Sequence, residues 1–178
     1  MEHLLSPRTW TEHKIFELYR YLSIKAPHEI DLELIAESCQ IEIISISGRS
    51  YITSHPIRKG WMLICIDSLL SELEQREKIA HEVFHCLAHE GNQLTLPPAF
   101  IKLQESQSKA GAAHLLMPLW MLTHYDFTME PKFLVHTLSN TFRVSFTFTI
   151  KQLQLIQNRI KEEKSKATSF DCLWEFYI

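Results

Sequence analysis

One short stretch constrains this chain more than any other: Ser71 to Glu90 reads as a single helix carrying His81-Glu82-Val83-Phe84-His85. Ser71 and Glu74 have the spacing of a capping box, which starts a helix, and Gly91 supplies a stop. Residues four apart on a helix lie about 6 Å apart along the axis and about 40° apart in direction, so His81 and His85 aim at one point. Ile79, Ala80, Val83 and Leu87 make the opposite side apolar. Any fold must therefore bury one side of this helix and leave the other facing a cleft.

Two imidazoles at that spacing suit a zinc ion. Glu82, turned about 100° from His81, is placed to take a proton from a polarised water without occupying a coordination position, and is the candidate catalytic base. A zinc site needs a further protein ligand. His89 lies about 12 Å along a straight helix from His81, too far to join both motif histidines on one ion. Glu105 is the candidate, at the start of a helix expected from about Phe100 to Leu116. Ser108 and Ala112 lie on its face, and Gly111 lies nearby; these small residues permit close approach to the motif helix. His114 falls on the opposite face and reads as a packed histidine. His124 and Tyr125, beyond the break at Met117-Pro118, are candidates for a transition-state donor.

The rest of the chain frames this helix. A length of 178 residues with 46% hydrophobic and 22% charged content suits one domain. Its expected parts are a catalytic core over 1–125, a helical segment over 126–163 and an aromatic tail over 164–178. Helices are expected at Trp10 to Leu22 and after Asp31. Strands follow at Ile41 to Ile46, Tyr51 to Thr53 and Trp61 to Ile66; the last is nearly all apolar, hence central. Two further helices, Phe133 to Phe142 and Phe146 to Glu163, form a pair. The fold class is α+β, with a small three-stranded, mainly antiparallel sheet packed on helices. The net charge of −3 and pI near 6.4 offer no general attraction to nucleic acid or an acidic membrane. Scattered Cys39, Cys65, Cys86 and Cys172, with no apolar stretch of membrane-spanning length, place the expected location in the cytoplasm.

The residues resemble the ImmA/IrrE-type metallopeptidases. Ile79-Ala80-His81-Glu82-Val83-Phe84-His85 is similar to the family's ligand helix. Gln104-Glu105 through Gly111-Ala112-Ala113-His114-Leu115-Leu116-Met117-Pro118 resembles its second signature, and Phe142-Arg143-Val144-Ser145 leading to Gln152-Leu153 its later helical segment. The resemblance implies a zincin-like core, zinc bound by His81, His85 and Glu105, and Glu82 as base. Many relatives have a second acidic residue where this chain has Gln107, which leaves two positions, 105 and 107, open for the third ligand. The family's activity implies a protein substrate: a helix-turn-helix repressor cut at a defined site, relieving repression of a mobile element or a stress response.

Two other readings compete. The basic helical pair near Phe133 to Glu163 has helix-turn-helix order, but its second helix begins Phe146-Thr147-Phe148-Thr149-Ile150, poor in side chains that read base edges. The other is a metal-binding regulatory protein without protease activity, against which the presence of Glu82 weighs.

Overall fold

In a computed structural model, residues 6–89 and 96–174 are described, with side chains to residue 162 and at Ser165. The elements run in chain order as α1 (Trp10–Tyr21), α2 (Leu32–Ser38), β1 (Ile41–Ile46), β2 (Tyr51–Ser54), β3 (Met62–Asp67), α3 (Glu72–Ala88), α4 (Pro98–Leu116), α5 (Pro131–Phe142) and α6 (Phe146–Trp174). Short 3-10 turns lie at Pro27–Glu29 and Leu119–His124. The α+β class and the C-terminal helical pair are as expected.

Within that class the sheet is mixed rather than mainly antiparallel. Its order is β1-β3-β2, with β3 parallel to β1 and antiparallel to β2. The physical reason is the apolar character of β3: Ile64, Cys65 and Ile66 are almost fully buried, so β3 inserts between the two half-polar strands rather than extending the sheet at an edge. Gly60, at φ +84°, makes the turn that brings β3 back along β2. Ile41, Ile43, Ile52, Met62, Ile64 and Ile66 share one sheet face and pack into the core. The other face carries Glu42, Ile44, Leu63, Tyr51 and Thr53, none of them fully buried. β2 pairs on one side only, as expected of an edge strand.

Helix α3 starts at the Ser71–Glu74 capping box, where Ser71 Oγ accepts from Glu74 N–H and Glu74 returns to Ser71 N–H. It ends at Ala88, with His89 already extended, earlier than expected; the Gly91 stop lies outside the described residues. Its side Ala80, Val83 and Phe84 is fully buried against the sheet and α4. Helix α6 runs past Glu163 to Trp174, since no Gly or Pro interrupts 146–174 and the Lys/Glu run propagates a helix well. The side chains of the aromatic tail beyond residue 165 lie outside the described residues.

A buried polar cluster ties three distant segments together. Glu12 of α1 accepts from His114 Nε2 of α4 at 3.1 Å and from the Arg159 guanidinium of α6, and its other oxygen accepts from Arg8 N–H at 2.7 Å. Burial alone would raise the Glu12 carboxyl, but the His114 hydrogen bond, the Arg8 N–H and the charges of His114 and Arg159 outweigh it and hold it at about 2. All three side chains are buried, so α1, α4 and α6 are tied by a buried ionic network, in which His114 Nδ1 has no hydrogen-bond partner. Among the described residues no helix is long and apolar enough to cross a membrane.

Candidate metal centre

Helix α4 packs on α3 through its small residues, as their spacing predicts. Ser108 and Ala112 are buried at the contact, and Gly111 lies so close to the Phe84 ring that a Cβ there would fall 2.1–2.3 Å from its carbons. Phe84 sits between the two motif histidines in sequence. This approach brings Glu105 to the open side of α3.

There three side chains converge. His81 Nε2 lies 3.1 Å from His85 Nε2; Glu105 places Oε2 3.4 Å from His81 Nε2 and Oε1 3.1 Å from His85 Nε2. Their donor atoms all lie within 4.8 Å of one another. His85 is buried, while His81 and Glu105 are partly open, so the cluster has a closed floor and an accessible side. His81 is held below the ordinary histidine range by burial, against the charge of Glu82; His85 is lowered by burial and then by His81. Both rings are thereby biased toward the neutral form, the form that binds a metal. Glu82 is buried one residue along and pairs with the Lys78 ammonium one turn earlier on α3.

Glu105 is in the convergent group. The other sequence candidates lie elsewhere. His89 caps α3, its ring 5.4 Å from that of His85, and stays outside the group. His114 is committed to Glu12. Tyr125 is half-buried with its ring 6.1 Å from that of Phe142 on α5, and His124 is exposed at the end of the Leu119–His124 turn. The N-terminus of α6 is tied to α3, with Ser145 N–H donating to Glu77 Oε1 at 2.8 Å. Lys78 escaped the sequence reading, although its place four residues before Glu82 is a legible signal.

An open cluster of two imidazoles and a carboxylate on an HExxH helix defines a metallopeptidase-like site. Residues 36–154 match Peptidase_M78, the IrrE N-terminal-like domain, and the chain belongs to that family. It is 28% identical over 151 residues to the uncharacterized protein YqaB of Bacillus subtilis (strain 168), covering 85% of this chain and 86% of that one. It is 29% identical over 148 residues to the phage-like element PBSX protein XkdA of the same organism, covering 83% and 73%. The family supports a peptidase with a metal-dependent site.

Proposed function

We propose that this protein is a zinc-dependent endopeptidase that cuts a helix-turn-helix repressor at a defined site in the cytoplasm, relieving repression of a mobile element or a stress response. The observation that carries the metal assignment is the convergence of the three side chains: the two Nε2 atoms lie 3.1 Å apart, one Glu105 oxygen is 3.4 Å from His81 and the other 3.1 Å from His85. A tetrahedral ion with bonds of about 2.0–2.2 Å spaces its ligand atoms about 3.3 Å apart, so two imidazoles this close, with a carboxylate beside both, suit zinc with a position left open. Two imidazoles and a carboxylate with such an opening favour zinc over harder, all-oxygen cations.

When bound, the ion supplies Lewis acidity toward the scissile carbonyl and toward water. The chain's own groups do the rest. Burial biases His81 and His85 toward the neutral form, and Glu105 adds the negative charge that balances part of a divalent ion. Glu82, next to His81 and shielded from bulk solvent, accepts the proton of the attacking water and passes it to the departing amine. The unpaired side of β2, with Tyr51 and Thr53 exposed, suits an extended substrate segment that adds to the sheet. The repressor as substrate rests on the family resemblance and accords with a relative named for a phage-like element.

The test is co-expression with the helix-turn-helix repressor of the same element, followed by the same reaction with purified components. A discrete pair of fragments is expected, lost on zinc chelation and regained when zinc is restored. A repressor left intact by the zinc-loaded protein, or cut equally well without metal, would contradict the proposal.

A further inference from the structure

The carboxylates around the cluster are nearly all engaged, and the lysines are not balanced by them. On α3, Glu72 pairs with Arg143, Glu74 closes the capping box with Ser71, and Glu77 accepts from Ser145 N–H. On α4, Glu105 is the sole carboxylate, flanked by exposed Lys102 one turn before and exposed Lys109 one turn after. Lys78, its side chain 40% exposed, reaches Glu82 from the α3 side. With a divalent ion in place, the ion, Lys78 and Lys109 together would carry two more positive charges than Glu82 and Glu105 balance.

We infer that Lys78 and Lys109, one from each helix of the site, select a substrate segment with carboxylates flanking the scissile bond. This rests on the peptidase reading above and names the chemistry of its substrate. Each lysine sits one helical turn from a residue of the site, Lys78 from Glu82 and Lys109 from Glu105, and each has a stem long enough to turn toward a bound peptide. The charges of both are felt at His81, where they add to burial in lowering its proton affinity.

The test uses the zinc-loaded protein and quenched fluorescent decapeptides with an apolar central pair flanked on both sides by Glu, by Gln or by Lys. Exposed ion pairs strengthen binding by at most about fivefold each, so the Glu-flanked peptide is expected to exceed the Gln-flanked one by about twentyfold in kcat/KM at low salt. Added salt should shrink that ratio. The Lys78→Gln/Lys109→Gln protein should lose most of the preference, and Lys78→Glu/Lys109→Glu should favour the Lys-flanked peptide. Fluorescence anisotropy with the Glu82→Gln protein measures the same preference in binding, without turnover. Failure of the peptidase reading appears as zinc loading without cleavage of any peptide, and the anisotropy arm still decides the lysines. Equal handling of Glu- and Gln-flanked peptides by the wild type, no difference in anisotropy, or an unchanged preference in the double variant would overturn the inference.

Discussion

Replacing Glu82 by Gln is expected to lower kcat for peptide cleavage by about 10²–10⁴-fold, the range for loss of a general base, while the metal stays bound. The three converging donors belong to His81, His85 and Glu105, so the substitution removes no atom from the cluster. Gln is nearly isosteric and remains polar at a buried position, so the fold should persist. What is lost is the capacity to accept the water proton. The Lys78 ammonium, now facing a neutral amide, loses its partner, but at 40% exposure it can turn to solvent at little cost. Zinc analysis and stopped-time cleavage of the repressor on the same preparation check both halves. Retention of more than a tenth of the wild-type rate would remove Glu82 from the proton transfer; loss of zinc would place it among the ligands.

The second large effect is on the fold beneath the site. Gly111→Ala adds a methyl group 2.1–2.3 Å from three carbons of the Phe84 ring. In an exposed helix that change would stabilise by about 1 kcal/mol through helix propensity. Here the clash decides the sign. Phe84 is fully buried, with no open space for the ring to occupy, so α4 must move away from α3. Overpacking of this kind costs about 1–3 kcal/mol, which for a chain of this size lowers Tm by roughly 2–12 °C. Because α4 carries Glu105, its displacement should also weaken metal binding. Thermal unfolding and zinc titration of the variant are the measurements. A Tm equal to or above that of the wild type would show that the interface yields without strain.

What the sequence disclosed follows the range of the forces involved. The capping box, the apolar side Ala80-Val83-Leu87 and the i, i+4 histidines are local, and they appear in α3 almost as read. The approach of Glu105 was legible because Ser108, Gly111 and Ala112 share a contact surface and leave few alternatives for how α4 packs. Of the two positions the family pattern left open, Glu105 places its oxygens 3.4 Å from His81 Nε2 and 3.1 Å from His85 Nε2. The central place of β3 was legible in its apolar run, but its parallel pairing with β1 was not, because the relative direction of two neighbours is set by how the connecting turns place the strands and not by any one strand's pattern. The Glu12–His114–Arg159 network joins residues up to 147 positions apart and leaves no local trace. The Leu119–His124 turn leaves His124 exposed and sets the Tyr125 ring beside that of Phe142, a placement that depends on a tertiary contact and leaves no local trace.

The central claim is that His81, His85 and Glu105 together hold one zinc ion. Elemental analysis of the purified wild-type and Glu105→Ala proteins tests it most directly. One zinc per chain is expected in the wild type. In the variant, with two imidazoles left and no carboxylate, zinc should fall well below stoichiometric after dialysis while the circular dichroism spectrum stays unchanged. Stoichiometric zinc in folded Glu105→Ala, or none in the wild type after growth in zinc-replete medium, would contradict the account.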